Sequence, residues 1–152
     1  MADQSSPRNG HELLDMLAVR EVILRFCAGV DRGDWDVVAA CFTSDSTASF
    51  SGAEFGPGPQ PMVDAFRRGA ENSEVLSSTH FLGNIFVELD GDSARAESYA
   101  IGYLATRASD GAALRTRGLR YRDLLRRGDN GWAIVNRVST ADWERLSPVS
   151  IP

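Results

Sequence analysis

The sequence is poor in the residues that build metal centres and covalent cross-links. It contains two cysteines, Cys27 and Cys41, and two histidines, His11 and His80. No group of these residues has the spacing of a zinc site, so we expect no structural zinc, although a carboxylate-rich metal site stays open. Both cysteines lie in apolar stretches that we predict to be helical. That setting favours two buried free thiols over a disulfide.

The sequence also lacks a membrane span, a secretory signal and a basic net charge. No window approaches the roughly 20 apolar residues that cross a bilayer, and no basic region precedes an apolar stretch at the start of the chain. The formal net charge of −5 gives little attraction to a phosphate backbone. We therefore expect a cytoplasmic protein that binds neither membranes nor nucleic acid.

What remains is the composition of an ordinary globular domain. The chain has 152 residues, of which 43% are hydrophobic, and this is enough for one domain with its own core. Residues 1–10 are polar and are predicted to form a disordered tail. We expect the folded domain to span residues 11–145 and a C-terminal tail to span residues 146–152.

The first half of the domain has the periodicity of helices. Apolar residues recur at three- and four-residue steps through a long first helix that ends at Gly33, a residue able to adopt the left-handed conformation of a helix stop. Asp34 is a suitable N-cap for a short second helix that runs to Phe42. After a loop rich in glycine and proline, a third helix is predicted over residues 61–72.

The second half alternates apolar and polar residues as strands do. Strands are predicted over residues 47–50, 79–89, 93–107, 114–127 and 132–143. The last two are joined by residues 128–131, which form a hairpin turn signal. Helices followed by an antiparallel meander predict an α+β layer fold. The sheet face that the helices leave uncovered is expected to meet another copy, in a homodimer or homotrimer.

Several stretches resemble the SnoaL-like branch of the nuclear transport factor 2-like superfamily. They are GVDRGDW at 29–35, THFLGN at 79–84, GLRYRD at 118–123, GWAI at 131–134, and Arg137 followed by DW at 142–143. Their order and spacing carry the resemblance, which spans residues 11–143. It implies a cone-shaped α+β barrel, with three N-terminal helices packed on a curled, mostly antiparallel sheet around an apolar pocket.

The family includes scytalone dehydratase, hexachlorocyclohexane dehydrochlorinase, bile-acid dehydratases, polyketide cyclases and ketosteroid isomerase. In its dehydratases and dehydrochlorinase, an aspartate at the end of the first helix pairs with a histidine on the first long strand. Asp31 and His80 occupy those positions, and Arg137 matches a pocket position of the dehydrochlorinase. Two departures are visible: Phe26 stands near where the dehydratases often have a tyrosine, and the second strand histidine of scytalone dehydratase has no counterpart.

Asp31 and His80 are of the residue types that transfer protons. Imidazole can both accept and donate a proton near neutral pH. A carboxylate on its other ring nitrogen fixes the tautomer and stabilises the imidazolium. An aspartate is also poorly matched to a helix C-terminus, where the dipole favours cations. The alternative is a structural histidine bound to a backbone group, with Asp31 merely ending the helix.

The remaining site residues are predicted from strand alternation, aromatic character and the family positions. The expected substrate-binding residues are Phe26, Trp35, Phe50, Asn84, Tyr99, Tyr103, Tyr121 and Arg137. Asn84 is expected on the same strand face as His80, and a tyrosine can donate a hydrogen bond to a developing oxyanion or simply fill the core. For Arg137 two roles stay open: it could bind an anionic or carbonyl group, or it could pair with Asp123 or Asp142.

Together these residues predict a cofactor-free lyase. We expect a dehydratase in which His80, backed by Asp31, abstracts a C–H proton and eliminates water from a small apolar, polycyclic or polyketide-like substrate. A polyketide cyclase or ketosteroid-type isomerase in the same pocket is the first alternative. A non-catalytic module that binds a small ligand is the second.

Overall fold

The computed structural model describes residues 9–152, in which three helices and six strands are arranged around one core. The helices are α1 (Gly10–Arg32), α2 (Trp35–Ala40) and α3 (Gln60–Asn72). The strands are β1 (Phe42–Phe50), β2 (Ala53–Phe55), β3 (Val75–Asp90), β4 (Ser93–Ala108), β5 (Gly111–Gly128) and β6 (Gly131–Val149). Apart from its last two residues, the predicted N-terminal tail lies outside the described residues.

The strands form one curled, open mixed sheet in the order β2-β1-β6-β5-β4-β3. Strands β3 to β6 are joined as consecutive antiparallel hairpins, whereas β1 runs parallel to β6. Helix α1 packs against β3 and β6 on one face of this sheet. The α+β fold with helices on a mostly antiparallel sheet is therefore confirmed. No helix among residues 9–152 combines the length and apolar character needed to cross a bilayer.

The ends of α1 follow from local capping. The Asn9 side chain accepts a hydrogen bond from the Glu12 backbone N–H at 2.9 Å, which satisfies one of the free donors of the first turn. At the other end Gly33 has φ 65°, and its N–H is directed to the carbonyls of Gly29 and Val30. The helix stop expected at Gly33 is confirmed, because a left-handed residue there closes the last turn.

Pairing with the sheet shortens α2 relative to the sequence prediction. The Ile134 N–H donates to the Cys41 carbonyl, and Phe42 is the cross-strand partner of Ile134. Strand β1 therefore begins at Phe42, where the sequence predicted the last residue of the helix. Asp34 caps α2 as expected, by accepting from the Val37 N–H at 3.2 Å.

Strand β6 extends beyond its predicted end at residue 143. It continues to Val149, which pairs with Ala112 of β5. Most of the segment predicted as a C-terminal tail is therefore strand, because β5 supplies a partner that the local sequence does not reveal. For the same reason the glycine-rich loop before α3 contains the short strand β2, paired with the end of β1.

The core lies between α1 and the inner face of the sheet. Five side chains of α1 are buried there: Val19, Val22, Ile23, Phe26 and Cys27. From Ala94 to Gly102 the inward positions of β4 carry only small residues, namely Ala94, Ala96, Ser98, Ala100 and Gly102. Cys27 and Cys41 are both buried and unbonded, which confirms the expectation of two free thiols.

The contact between α1 and α2 requires a glycine at residue 29. A Cβ there would lie 2.9 Å from Val38 Cγ2 and 3.3 Å from the Asp34 carbonyl oxygen. We expect Gly29→Ala to lower the free energy of unfolding by about 1–3 kcal/mol, because overpacking displaces α2. Gly69 of α3 has open space around it, so the control Gly69→Ala should raise stability by about 0.5–1 kcal/mol. Urea denaturation measures both, and a Gly29→Ala variant as stable as the parent would contradict this packing.

Candidate active site

Asp31, in the last turn of α1, contacts His80 on the inner face of β3. The distance from His80 Nδ1 to Asp31 Oδ1 is 2.7 Å. The two side chains keep only 14% and 20% of their accessible surface. A carboxylate can only accept, so Nδ1 carries the proton and Nε2 keeps the lone pair in the neutral ring. The close approach of these two groups expected from the sequence is present.

Two further donors from β3 fix the Asp31 carboxylate. The His80 backbone N–H donates to Oδ2 at 2.7 Å, and the Ser78 hydroxyl donates to Oδ1 at 2.8 Å. Sequence reasoning missed Ser78. Its signal was its position two residues before His80, because alternate residues of a strand share a face.

Gly102 lies beside the free nitrogen of His80. It is the direct cross-strand partner of His80 on β4. A Cβ at Gly102 would lie 3.7 Å from His80 Nε2 and 3.0 Å from Leu119 Cδ1. A side chain at this position would therefore press against Leu119 and contact the imidazole. This proximity was not visible in the sequence, because it depends on the register between β3 and β4.

The aromatic residues predicted for the pocket divide into a wall and a core. Phe50 is half-buried and stands edge-on to Phe66 at 4.8 Å between ring centroids. Trp35, at the start of α2, is also half-buried against the core. Phe26 is 1% exposed and contacts Phe42 and Phe50. Phe50 and Trp35 thus lie at the edge of the core, whereas Phe26 is a core residue behind Phe50, and the substrate contact expected for it stays a prediction.

Asn84 does not share the face of His80. The pairing of β3 with β4 shifts between Leu82 and Ile85, so Gly83 and Asn84 form a bulge. The extra residue reverses the alternation and turns Ile85 inward, while Asn84 is exposed. The prediction for Asn84 is therefore wrong, because it assumed unbroken alternation along the strand.

Tyr99 and Tyr103 lie on the outer face of the sheet. Gly102 points inward opposite His80, so odd-numbered residues of β4 point outward. The Tyr99 hydroxyl donates to Glu97 Oε1 at 2.9 Å, and the Arg120 guanidinium lies 4.6 Å from its ring centroid. Neither tyrosine is placed to contact a ligand at His80, and both predictions are wrong.

Arg137 is fully buried and paired with Asp123. Its Nε and Nη2 donate to the two carboxylate oxygens at 2.6 and 2.7 Å, and its side chain is 0% exposed. A register shift in β6 between Ile134 and Asn136 turns Arg137 inward, opposite Asp123. Of the alternatives left open by the sequence, pairing with Asp123 is the one observed. Arg137 Nη1 has no hydrogen-bond partner among residues 9–152.

The charge of Arg137 is balanced by the carboxylate of Asp123. Burial opposes the charge of Arg137, but the Asp123 carboxylate outweighs it, and the pKa of the guanidinium is raised. The guanidinium also lies 4.1 Å from the Phe26 ring centroid and 4.6 Å from that of Tyr121, as in cation–π contacts. The pair is therefore part of the core beneath the site.

The other acidic groups near the pair stay protonated near neutral pH. Burial raises the pKa of the Cys27 thiol to about 12, and it also raises the pKa of the Tyr121 phenol. Tyr121 faces inward as predicted but is 2% exposed. Neither group is suited to accept a proton from a ligand.

Two surface depressions lie away from Asp31 and His80. One, of about 500 Å³, lies between the end of α3 and the β4–β5 hairpin. The other, of about 710 Å³, is lined mainly by outer-face residues of β3 to β6. Within residues 9–152, no three His, Cys, Asp or Glu side chains are grouped so as to hold a metal ion. Among the described residues, the contact between Asp31 and His80 is therefore the arrangement whose side chains suit proton transfer.

The chain belongs to the SnoaL-like domain family, whose sequence pattern matches residues 11–138. It is 25% identical over 139 residues to uncharacterized proteins of Mycobacterium tuberculosis and Mycobacterium bovis, and the match covers 89% of this chain and 90% of each relative. The resemblance stated from the sequence motifs is therefore confirmed at the level of the family.

Solved structures share the fold. A protein from Kribbella flavida is similar with a TM-score of 0.81 and 18% identity, covering 88% of this chain and 95% of its own. A type 2 hexachlorocyclohexane dehydrochlorinase is similar with a TM-score of 0.73 and 16% identity, covering 91% and 96%. A protein from Novosphingobium aromaticivorans described as a candidate scytalone dehydratase has a TM-score of 0.77 and 15% identity, covering 91% of both chains. At these identities the likeness concerns the fold.

The burial of Arg137 predicts a large effect on stability. Arg137→Ala leaves the Asp123 carboxylate buried without a partner, and we expect a loss of about 3–5 kcal/mol in the free energy of unfolding. Replacing both residues, as Arg137→Met with Asp123→Leu, should recover much of that loss. The control Arg122→Ala removes an exposed arginine on the outer face and should change stability little. Chemical denaturation tests this, and equal effects of Arg137→Ala and Arg122→Ala would refute it.

Proposed function

We propose that this protein is a cofactor-free dehydratase in which His80 is the general base. Asp31 orients the imidazole and stabilises its protonated form. The observation that carries the proposal is the 2.7 Å contact between His80 Nδ1 and Asp31, with Nε2 beside Gly102, a position that carries no side chain. Membership of a family that contains dehydratases, cyclases and isomerases supports an enzymatic role, and fold neighbours of the dehydratase type support elimination.

The proposed reaction needs one base and no cofactor. His80 Nε2 takes a proton from a carbon made acidic by a neighbouring carbonyl, and the C–H electrons form a carbon–carbon double bond. The bond to a hydroxyl on the next carbon breaks, and the leaving oxygen takes the proton from Nε2 to depart as water. One imidazole serves both steps when the hydrogen and the hydroxyl leave from the same side. The Asp31 carboxylate stabilises the transient imidazolium.

The lining favours a small apolar substrate. The inward residues that follow His80 and Gly102 across the sheet are apolar. They are Leu82, Ala100 and Leu119, which are cross-strand neighbours on β3, β4 and β5. The half-buried ring of Phe50 adds aromatic surface near the end of β1. A polycyclic or polyketide-like body suits such a surface, because ligand sites are mostly apolar with few polar groups that fix orientation.

Product analysis separates dehydration from the alternatives that use the same base. Ring closure or isomerisation would follow the same proton abstraction but leave the mass unchanged, whereas dehydration removes one water. A binding module would return its ligand unaltered. The test incubates the protein with a panel of polycyclic β-hydroxy ketones and with cell extract, followed by mass spectrometry.

Turnover is expected to depend on both members of the pair. We expect His80→Ala to lower kcat by about 10²–10⁴-fold, the usual contribution of a positioned base. Asp31→Asn should also lower kcat, because the amide cannot stabilise the imidazolium. The matched control is His11→Ala, which replaces the other histidine, exposed on α1, and should leave turnover unchanged. Full activity in His80→Ala, measured on a turned-over member of the panel, would rule out this mechanism.

We also propose that the outer face of the sheet packs against another copy of the chain. It exposes three large apolar side chains, Phe81, Phe86 and Trp143, each by more than half, and such patches mark contact sites. Its charged residues Glu97 and Arg122 already pair within the chain, which leaves the apolar groups for an interface.

The oligomer prediction is tested by substitutions on that face. Phe81→Glu combined with Trp143→Glu should convert a dimer or trimer into monomers, because buried like charges oppose association. Light scattering measures the mass of the parent and of the variant. A monomeric parent protein at high concentration would contradict the prediction.

A further inference from the structure

Arg115 and Arg117 of β5 lie on the inner face of the sheet and have no part in the proposed mechanism. Direct cross-strand partners place His80, Gly102, Arg117 and Glu144 in one row across β3 to β6. Residues directly opposite one another in adjacent antiparallel strands share a face. Arg117 therefore lies on the same face as His80, two strands away.

No side chain projects from β4 between His80 and Arg117, and the side chain of Leu119 covers that position. Two strand spacings put the backbones of His80 and Arg117 about 9–10 Å apart, and the position between them is Gly102. Leu119 is the next inward residue of β5, and its Cδ1 would be 3.0 Å from a Cβ at Gly102. The row therefore runs from a base, across the apolar side chain of Leu119, to a cation.

The charge at the arginine end of this row is not fully neutralised. Glu144 Oε2 lies 2.7 Å from Arg117 Nε and 3.8 Å from Arg115 Nε, so two guanidinium groups share one carboxylate. The hydrogen bond from Arg117 lowers the pKa of the Glu144 carboxyl, which keeps it ionised at neutral pH. In the described part of the chain neither arginine has a second ion pair, and one positive charge is left over.

These arginines also differ from their neighbours on the same strand. Arg120 and Arg122 point outward and have carboxylate partners in Asp142 and Glu97. Arg115 and Arg117 keep 43% and 37% of their side-chain surface accessible, so their remaining donors can reach a ligand on the inner face. Guanidinium groups bind carboxylates through paired hydrogen bonds with fixed geometry.

We propose that Arg117, supported by Arg115, binds a carboxylate of the substrate and orients its apolar body so that the acidic C–H meets His80 Nε2. The ligand class is an apolar, ring-containing carboxylic acid whose acid group lies several bonds from the reacting carbon. The orienting role rests on the proposed function, whereas the carboxylate site itself does not.

A matched pair of unreactive ligands tests the site by calorimetry. We expect 2-naphthoate to bind the parent protein about tenfold more tightly than the isosteric 2-naphthamide, since the charge-assisted pair is made only by the acid. Arg117→Gln should abolish that preference and leave amide binding unchanged. The control Arg122→Gln, on the outer face of the same strand, should retain it.

A second variant strengthens the site instead of weakening it. Glu144→Gln removes the carboxylate that competes for Arg117, so naphthoate affinity should rise several-fold while amide affinity stays constant. Added salt should reduce the affinity for the acid and not for the amide. Equal binding of acid and amide by the parent, no binding of the acid at millimolar concentration, or an unchanged preference in Arg117→Gln would overturn the proposal.

Kinetics separate the failure of this site from the failure of the proposed reaction. With an acidic substrate that is turned over, Arg117→Gln should raise KM more than it lowers kcat, whereas His80→Ala lowers kcat and leaves naphthoate binding intact. Loss of turnover in His80→Ala with normal KM in Arg117→Gln would refute only the carboxylate site. Intact turnover in His80→Ala with lost acid preference in Arg117→Gln would refute only the dehydratase mechanism.

Discussion

The carboxylate of Asp31 joins the end of α1 to the beginning of β3, and the geometry of the site depends on this connection. A negative charge is unfavourable at a helix C-terminus, yet here it accepts hydrogen bonds from the Ser78 hydroxyl, the His80 backbone and the His80 ring. These donors offset the local cost and hold the imidazole in one orientation. The position of the His80 ring is therefore set by how the first helix lies on the sheet.

Beneath that contact the ion pair of Arg137 and Asp123 has the opposite character. Arg137 and Asp123 are fully buried, bonded through two hydrogen bonds and enclosed by the rings of Phe26 and Tyr121. Such a pair has little freedom to exchange protons, whereas Asp31 and His80 keep a small accessible surface. The protein thus has one ion pair enclosed in the core and one aspartate–histidine contact at the edge of the core, with burial as the distinguishing factor.

The inner face of the sheet is organised by rows that run across the strands. From Ala94 to Gly102 the inward residues of β4 are small, so that side chains of β3 and β5 approach one another over this strand. The row through Gly102 has His80 at one side and Arg117 with Glu144 at the other. The chemistry at each end differs, while the strands between them are held rigidly by continuous pairing.

The sequence by itself determined most of the elements and the pairing of Asp31 with His80. Helical periodicity and the stop at Gly33 are local signals, and the positions of Asp31 and His80 are family motif signals. Neither kind depends on contacts between distant parts of the chain. Only the tertiary structure decided which strand residues face inward, because a strand has a period of two and one extra residue reverses it. The bulge at Gly83 and Asn84 turned Asn84 away, the shift near Asn136 turned Arg137 into the core, and the pairing of Gly102 with His80 put Tyr99 and Tyr103 outside. Such shifts are fixed by contacts between distant strands, and no local pattern in the chain encodes them.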